Sequence, residues 1–452
     1  MEQFFGAFSS FMWGTPLVVL LVGGGLFFSI YSRGIPYRHF PEALAALMGK
    51  HNREGGEGQI SHFQALTTAL SGTLGLGNIA GVAIAITAAG PGAVFWMWVT
   101  AIVGVATKFY TCSLAVMYRG YDSQGQLQGG PMYVIREALG KNWLPLAWLF
   151  ALAGMCGALP IFQINQLVQL FRDSVGIPMG VAHESDHLVF DLILGLFFSV
   201  IVYLVLIGNI KRIGKITAFL VPFMVLFYLL ISGVVLVNHL DAIPGAFQLI
   251  FADAFKLEAA ATGTILTVIL TGVKRGAFSN EAGIGSEAMA HGAAKTNEPI
   301  REGMVAMIGP VVDTLIVCTC TALVILVTGV WSGSTDSGVT ITSQAFESVM
   351  PGYGAYLLTI MVLFLSLSTV FTFGYYGSKC LGFLIGADRQ HYYVWFYTGL
   401  VVLGAVVSLK AVVNFIDGMY ALMAIPTMVS TLILAPRVNA AAKRYFNREQ
   451  NL

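Results

Sequence analysis

The sequence predicts an all-α polytopic membrane protein. The chain has 452 residues, of which 56% are hydrophobic and only 10% are charged, and its mean hydropathy is +0.77. Soluble globular domains carry roughly a quarter charged residues, so this composition excludes that class. A net charge of +1 also provides no basic surface for a nucleic acid. We therefore expect a lipid bilayer around the protein and no nucleic-acid partner.

Apolar stretches of about 20 residues, the length of a helix that spans a bilayer, occur eleven times. Their approximate bounds are 15–34, 63–88, 91–118, 144–172, 188–209, 215–238, 260–290, 303–329, 354–384, 392–409 and 412–435. The first stretch is not followed by an A-x-A-like cleavage site, so we expect it to be retained as a helix. Stretches 130–140 and 341–350 cannot cross and predict amphipathic or re-entrant helices.

Lysine and arginine residues predict the orientation of these spans. Every second loop is rich in them, and this set contains Arg33, Arg38, Lys50, Arg53, Arg119, Arg136, Lys141, Lys211, Arg212, Lys215, Lys295, Arg301 and Arg389, with Arg437, Lys443, Arg444 and Arg448 in the tail. The other loops carry little beyond Arg172, Lys256 and Lys410. The positive-inside rule places the N-terminus outside and the C-terminus in the cytoplasm, as an odd number of spans requires.

Two apolar segments are interrupted by residues that suit lipid poorly. Segment 66–88 contains the run S-G-T-L-G-L-G-N at 71–78, and segment 262–290 contains glycine, lysine, arginine and glutamate between 272 and 286. Unpaired backbone at membrane depth costs several kcal/mol per group, so it persists where it lines a cavity or binds a ligand. Such a pair of broken segments indicates the substrate site of a secondary transporter.

The position of the breaks predicts an inverted repeat. When the first span is set aside, ten remain, and the broken spans are the first and the sixth. Segments 63–238 and 239–435 would then be two five-helix halves of opposite orientation, because five is odd. Segment 1–62 would hold the extra N-terminal transmembrane helix and a cytoplasmic loop, and segment 436–452 a cytoplasmic tail. The sequence likeness between 74–78 and 282–286 supports this repeat only weakly.

The glycine runs also match two unrelated motifs. Residues 75–80 and 283–288 fit the dinucleotide-binding pattern, but that pattern requires a strand and a soluble βαβ unit. Residues 73–77 resemble a potassium-filter loop, which needs four copies around an axis. The sequence lacks a phosphate-binding G-x-x-x-x-G-K-S/T motif, a nucleophile–base pair in the spans and a clustered metal site. These observations argue against an ATP-driven pump and against an enzyme.

The first break offers groups for both a carboxylate and a cation. A broken helix presents N–H groups to an anion and carbonyl oxygens to a cation. Gly75 and Gly77 leave their N–H groups unobstructed for a substrate carboxylate, and Asn78 can offer either end of its amide. The alternative is that these glycines serve only close helix packing.

A sodium ion is a hard cation and takes oxygen ligands. The carbonyl oxygens of Ser71 and Leu74 in the first break are natural candidates. The hydroxyls of Ser368 and Thr369 in the ninth span, with the carbonyl of Leu365 one turn earlier, would complete the shell. The alternative is that these hydroxyls only bond to the preceding turn of their own helix, as is common in membranes.

The second break places Phe278, Asn280 and Glu281 within four residues. A carboxylate inside the membrane is costly and is a functional-site hypothesis by default. A structural ion pair with Lys274 or Arg275 is the competing interpretation. In the fourth span, Gln163 is a further polar candidate, although such a group can also hold two helices together.

Several longer blocks resemble the alanine or glycine:cation symporter family. They are 65–82, 90–98, 129–133, 208–213, 278–283 and 313–322, with a weaker block at 375–379. The run S-N-E-A-G at 279–283 is the most specific. The resemblance implies a LeuT-like fold and sodium-coupled uptake of a small neutral amino acid across the plasma membrane. It also implies a sodium ion between the first broken helix and the ninth span, with Gln163, Phe278, Asn280 and Glu281 near the substrate.

Four positions depart from the pattern of that family. Leu76 replaces the usual threonine, Phe373 the usual tryptophan and Ser378 a common glutamate, whereas Glu287 stands where a small residue is usual. Leu76 and Phe373 would lie near the substrate, and the smaller ring at 373 could admit a bulkier side chain than alanine. The alternatives are a symporter of the same fold for a different amino acid or coupled to H⁺, and a non-transporting or channel-like membrane protein. The oligomeric state is not indicated, and a monomer is compatible with the sequence.

Overall fold

The computed structural model describes residues 2–48, 56–183, 186–256, 264–332, 338–407 and 410–449, and its regular structure is almost entirely helical. Lys50 and Arg53, which contribute to the predicted orientation, lie outside these residues. The N-terminal segment consists of five short helices: α1 (Glu2–Met12), α2 (Thr15–Val18), α3 (Gly24–Tyr31), α4 (Ile35–Arg38) and α5 (Phe40–Leu47), with a π-helical turn at Val19–Gly23.

The next part of the chain contains eight helices and one hairpin. They are α6 (His62–Thr73), α7 (Ala80–Ala89), α8 (Gly92–Met117), the antiparallel strands β1 (Gly120–Tyr121) and β2 (Leu127–Gln128), α9 (Pro131–Val134), α10 (Leu144–Gly157), α11 (Ile161–Phe171), α12 (Leu188–Leu206) and α13 (Asn209–Val237). Helical turns that are not α-helical occur at Leu76–Asn78, Ile135–Leu139, Lys141–Trp143 and Arg172–Gly176.

The remaining part contains ten α-helices in the described residues. They are α14 (Ile243–Ala254), α15 (Thr264–Asn280), α16 (Glu287–His291), α17 (Pro299–Ala306), α18 (Ile308–Pro310), α19 (Thr319–Thr328), α20 (Val339–Val349), α21 (Gly354–Ile385), α22 (Gln390–Val406) and α23 (Lys410–Glu449). Other helical turns lie at Leu240–Ala242, Val311–Cys318 and Ala387–Arg389.

Many of these segments are suited to cross a membrane. Among the described residues, seven helical segments are long and apolar enough, and two bent pairs qualify when each pair counts as one span. In addition, α15 and α22 have 17 residues each and coincide with the predicted seventh and tenth spans. The protein is thus a multi-pass membrane protein, and the number of eleven spans stays a prediction.

The N-terminal helix begins earlier than the sequence analysis expects. It starts at Glu2 rather than near residue 15, and it bends by 40° between α1 and the segment Thr15–Tyr31. Pro16 lies at the bend, and proline has no N–H to continue the hydrogen-bond ladder. The short stretches 130–140 and 341–350 are helical, as predicted, at α9 with the turn that follows it and at α20.

Local chemistry sets the start of α6, the helix that leads into the first break. The hydroxyl of Ser61 accepts from the N–H of Gln64 at 3.2 Å, and the side chain of Gln64 accepts from the N–H of Ser61 at 3.0 Å. This capping box satisfies two of the helix's free N–H groups and fixes where the helix begins. The helix is buried along most of its length and packs on α13 and α21.

The second broken helix packs closely on α8. Gly272 and Gly276 of α15 face α8, where a Cβ at Gly276 would lie 3.0 Å from the Cα of Met97. Small residues at this spacing let two membrane helices approach until their backbones touch. In contrast, α12 and α13 expose large apolar side chains, among them Phe197 and Phe219, as expected for lipid-facing helices.

Candidate substrate and cation site

The first break separates α6 from α7 and bends the helix axis by 59°. It is held by its own polar groups, because the N–H of Gly75 donates to the amide oxygen of Asn78 at 3.1 Å. The N–H of Leu76 donates to the side-chain oxygen of Gln163 on α11 at 3.3 Å. Gln163 is 4% exposed and contacts the break from inside the protein.

The second break follows Asn280, where α15 ends. Glu281 has φ +55°, and Gly283 and Gly285 have φ +86° and +91°. Glycine adopts this left-handed backbone without cost, whereas the same backbone at Glu281 is held by its surroundings. The amide oxygen of Asn280 accepts from the N–H of Ala282 at 3.0 Å and so satisfies a backbone donor in the turn that follows the helix.

A polar cluster joins the two breaks. The amide NH₂ of Asn78 donates to Asp313 Oδ1 at 2.9 Å and to the hydroxyl of Ser279 at 3.1 Å, and Ser279 donates to the same carboxylate. Asn78 is thus directed at Asp313 and Ser279, whereas the sequence analysis assigns it to the substrate. Asp313 is fully buried, and its Oδ2 has no hydrogen-bond partner among the described residues.

Asp313 was not singled out as a site residue, although it lies in the block 313–322 used for the family resemblance. A carboxylate in an apolar span was the signal that could have identified it, since intramembrane acids are costly and mark functional sites. Its partners come from two distant segments, which a single sequence cannot bring together.

Five oxygen atoms converge at the end of α6. The hydroxyl oxygen of Thr369 lies 2.9 Å from the carbonyl oxygen of Ser71, 3.0 Å from that of Leu365 and 3.5 Å from that of Leu74. The hydroxyl of Ser368 lies 2.9 Å from the carbonyl of Leu365. The structure therefore brings together all five residues that the sequence analysis assigns to a sodium ion.

This oxygen cluster suits a small hard cation. All five oxygen atoms of the cluster belong to uncharged groups, and the side chains of Ser71, Ser368 and Thr369 are completely buried. Carbonyl and hydroxyl oxygens are the ligands that hard cations prefer, and a univalent ion needs no carboxylate in its shell. The hydroxyl of Thr372, which contacts that of Ser71, is a neighbour that the sequence analysis did not identify.

Aromatic rings form one wall beside the first break. The ring of Tyr420 on α23 lies 5.4 Å from that of Phe278 and 5.9 Å from that of Phe373, measured between centroids. A Cβ at Gly77 would lie 3.3 Å from the ring of Phe278, and one at Gly72 would lie 3.7 Å from that of Phe373. Phe278 and Phe373, which the sequence analysis expects near the substrate, thus lie against two glycines of the segment 71–78, and Tyr420, which the sequence analysis missed, connects their rings.

Glu281 and Asn280 are engaged by other groups of the protein. Glu281 accepts hydrogen bonds from the hydroxyl of Tyr420 at 2.9 Å and from that of Ser286. The amide NH₂ of Asn280 donates to the hydroxyl of Thr314 at 3.3 Å. Glu281 therefore positions the aromatic wall. Lys274 pairs instead with Asp417 at 2.9 Å, and among the described residues Glu281 forms no ion pair with Lys274 or Arg275.

The four departures from the family pattern lie in different environments. Leu76 is buried in the first break and Phe373 in the aromatic wall. Ser378 bonds to the carbonyl of Tyr375 at 2.8 Å, beside a cavity of about 150 Å³. Glu287 is fully buried between Thr111 and Ser286, and the hydroxyl of Ser286 also contacts Glu281.

Comparison with known proteins decides the family. The model of the sodium:alanine symporter family matches residues 1–452. The chain belongs to the sodium:alanine symporter family. It is therefore a multi-pass membrane transporter of a sodium-coupled amino-acid symporter family and not an enzyme, as the sequence resemblance implied.

Relatives within the sodium:alanine symporter family match nearly the whole chain. The sodium/alanine symporter AgcS of Methanococcus maripaludis is 40% identical over 98% of this chain and 97% of its own. An uncharacterised transporter of Haemophilus influenzae is 38% identical over 99% and 96%. The probable sodium/glutamine symporter GlnT of Bacillus subtilis is 30% identical over 100% and 92%.

Among solved structures, this chain resembles the crystal structure of MhsT in complex with L-phenylalanine. The TM-score is 0.60 at 14% sequence identity, and the match covers 86% of this chain and 99% of that one. This likeness shows the fold, which is LeuT-like.

Proposed function

We propose that the protein is a secondary active transporter that couples Na⁺ to the uptake of a small neutral amino acid, such as alanine or glycine, across the plasma membrane. The observation that carries the proposal is the group of five oxygens formed by three carbonyls and by the hydroxyls of Ser368 and Thr369, which lies between the unwound end of α6 and α21. A cation there would neutralise part of the negative end of the α6 dipole and fix the break that holds the substrate.

The expected membrane arrangement is eleven spans, with the N-terminus outside and the C-terminus in the cytoplasm. Segments 63–238 and 239–435 would be the two inverted halves, preceded by the extra N-terminal helix within 1–62 and followed by the tail 436–452. The short β-hairpin and the residues after α16 would then face the cytoplasm.

The N–H of Gly75, which the sequence analysis expects to be unobstructed, already donates within the break. For the substrate, we therefore propose that its carboxylate binds at the N–H of Gly77 and beside Gly75 and Gln163. Its ammonium group would bind carbonyl and amide oxygens between the two breaks. Asn78 and Asn280 would contribute chiefly by holding the breaks in shape, since both amides already bond to protein groups. These contacts are common to all amino acids, so the side chain must be selected by the volume at the aromatic wall.

The aromatic wall favours a small or medium-sized neutral amino acid as the substrate. Phe373, Phe278 and Tyr420 offer apolar rings, and the carboxyl group of Glu281 beside them is already hydrogen-bonded to the hydroxyls of Tyr420 and Ser286. Relatives differ in the substrate that their names give, alanine for AgcS and glutamine for GlnT, so this wall is the natural place for the difference. One methylene of misfit in an apolar pocket is worth about 1–3 kcal/mol, which makes the selection graded.

A binding screen tests this function most broadly. Purified protein is titrated with each of the twenty amino acids in Na⁺ and in K⁺, and the bound substrates are then tested for counterflow in proteoliposomes. The proposal predicts binding of small neutral amino acids in Na⁺ alone, followed by exchange. Conductance that continues without exchange would favour a channel, and binding that responds to pH but not to Na⁺ would favour proton coupling.

A further inference from the structure

A polar cavity of about 300 Å³ lies at the end of the molecule that is predicted to face outside. It is formed by the end of α11 and the turn after it, the first turn of α12 and the end of α22. Its side-chain lining is mostly polar and consists of Asn165, Gln169, Arg172, His187 and Asp191, with the last apolar residues of α22 on one side. We call this cavity the outer pocket. A polar cavity of this size can hold a small hydrophilic molecule and its waters.

An ion pair in the outer pocket leaves a group free on each partner. Arg172 donates through Nη1 to Asp191 Oδ2 at 2.7 Å, and its Nη2 has no hydrogen-bond partner among the described residues. Asp191 is 2% exposed, and its Oδ1 also has no partner among them. His187 Nδ1 lies 2.7 Å from Oδ2 of the same carboxylate, and Asp173 lies outside the lining, 3.6 Å from Nε of Arg172. A buried carboxylate oxygen without a donor is costly, which indicates that a ligand can complete this group.

Two amides on α11 add a second donor and a second acceptor. The NH₂ group of Asn165 donates to two backbone carbonyls at the end of α22, at 3.1 and 2.8 Å, which leaves its amide oxygen for a ligand. Gln169 accepts from Gln166 at 3.2 Å through its oxygen, which leaves its NH₂ group. The spacing of 165, 169 and 172 places these side chains on one face of the helix. The outer pocket therefore combines donors on Gln169 and Arg172 with acceptors on Asn165 and Asp191.

We propose that the outer pocket is a second binding site for a zwitterionic amino acid, separate from the site between the two breaks. The carboxylate of the ligand accepts hydrogen bonds from Arg172 and Gln169. Its ammonium group donates to the oxygens of Asn165 and Asp191. Because the charges of Arg172 and Asp191 cancel within the lining, a ligand that carries one charge of each sign uses both free groups without adding net charge.

The outer pocket differs from the site at the breaks in two measurable ways. Along α11, Gln163 at the first break and Arg172 at the outer pocket are about 13 Å apart, so the oxygen cluster around Thr369 is not part of the pocket. The Na⁺ requirement predicted above applies to the site at the breaks, whereas the outer pocket binds without Na⁺. Its lining among the described residues contains no Phe, Tyr or Trp, so it accepts large and small amino acids alike.

The outer pocket is partly open to water, so its binding is weak and does not by itself lead to transport. Its role in capturing the transported amino acid from outside rests on the proposed function. The binding itself does not, because it depends only on the groups that line the pocket.

Saturation-transfer NMR tests the outer pocket, because the method detects weak binding. Purified protein in lipid nanodiscs is titrated in choline, without Na⁺, with L-alanine and L-glutamine. Propionate and ethylamine, which each carry only one of the two charged groups, are titrated alongside. We expect saturable binding of both amino acids in choline. The two singly charged compounds should bind about tenfold more weakly or less, since each lacks the charge-assisted hydrogen bonds at one end.

Substitutions locate this binding. Val406→Trp places an indole in the outer pocket and leaves the ion pair intact, so binding in choline should be lost. Leu403→Trp is the matched control, because Leu403 is exposed on the same helix and should leave binding unchanged. Arg172→Lys keeps a positive charge beside Asp191 but removes Nη2. It should weaken binding about tenfold and serves if Val406→Trp does not fold.

Three results would overturn the outer pocket: no saturable binding in choline, binding that both Val406→Trp and Arg172→Lys retain unchanged, or propionate that binds as tightly as alanine. Na⁺-dependent binding of alanine is measured on the same samples. If alanine binds in Na⁺ but not in choline, the outer pocket alone is refuted. If alanine binds in choline, Val406→Trp abolishes that binding and Na⁺ adds none, the proposed function alone is refuted.

Discussion

The hydroxyl of Thr369 lies 2.9 Å from the carbonyl oxygen of Ser71, across 298 positions of the sequence. One residue belongs to the unbroken helix α21 and the other to the last turn of α6 before the first break. The contact ties the broken helix to a continuous one at the point where backbone carbonyls become available. It is also where a cation would stabilise both helices at once.

Thr369→Ala should raise the Na⁺ concentration needed for substrate binding. Loss of one neutral oxygen ligand removes about 1–2 kcal/mol, which corresponds to roughly a tenfold weaker apparent Na⁺ affinity. Substrate affinity at saturating Na⁺ should change little. Ser378→Ala on the same helix is the control, since its hydroxyl bonds only to the preceding turn among the described residues. Unchanged Na⁺ dependence in Thr369→Ala would remove Thr369 from the cation site.

Phe373→Trp should narrow the range of substrates. The larger indole fills space beside the ring of Tyr420, so larger amino acids should lose affinity by about 1–3 kcal/mol while glycine and alanine are spared. Competition binding with glycine, alanine and glutamine measures the change. Phe364→Trp, on the same helix but packed on Phe223, is the control. Equal losses for large and small substrates would show that Phe373 does not line the pocket.

Tyr420→Phe should weaken the protein without changing which substrates it prefers. The ring stays in the wall, but the buried carboxylate of Glu281 loses a hydrogen-bond donor, at a cost of about 1.5–3 kcal/mol in the free energy of unfolding. Tyr397→Phe is the control, because its hydroxyl donates to the neutral carbonyl of Val370 and should cost about 0.5–1.5 kcal/mol. Thermal unfolding and competition binding measure both effects. A shift in size preference for Tyr420→Phe would mean that its hydroxyl, and not only its ring, contacts the substrate.

Cysteines at Met179 and Gln124 should label from opposite sides of an intact cell. Both positions are exposed, the first between α11 and α12 and the second in the turn of the β-hairpin. The eleven-span arrangement places residue 179 outside and residue 124 inside. A membrane-impermeant maleimide should therefore label only Met179→Cys, with the unaltered protein as the background. Labelling of both from outside would contradict the arrangement.

The sequence was sufficient for an all-helical LeuT-like membrane protein and for the family, and the five residues that it assigns to a cation lie together in the structure. Composition alone excludes a soluble domain, and the two glycine-rich breaks have a clear physical cost in lipid. The group around Thr369 was predictable because its chemistry is simple: carbonyls from an unwound stretch and a hydroxyl pair on a buried helix. Those ligands needed only the assumption that the two segments meet.

Contacts between distant side chains could not be predicted in the same way. Asn78 is clearly polar, but its partner Asp313 lies 235 positions away. The sequence alone does not show which way the side-chain amide of Asn78 points. Nothing in the sequence distinguishes Tyr420 from other aromatic residues of the spans, whereas in the structure its ring contacts those of Phe278 and Phe373. The hydrogen bonds of His62 and His291 to Glu302 were missed because the three residues lie in three separate segments.

Accumulation of radiolabelled alanine in proteoliposomes tests the central claim most directly. The vesicles contain the purified protein with K⁺ inside, and the external buffer holds either Na⁺ or choline at equal pH, with the membrane potential clamped. Sodium-coupled symport predicts transient accumulation above the external concentration with an inward Na⁺ gradient and only equilibration in choline. Two results would contradict sodium-coupled symport: equal accumulation driven by a proton gradient without Na⁺, or equilibration of alanine that does not depend on any ion gradient.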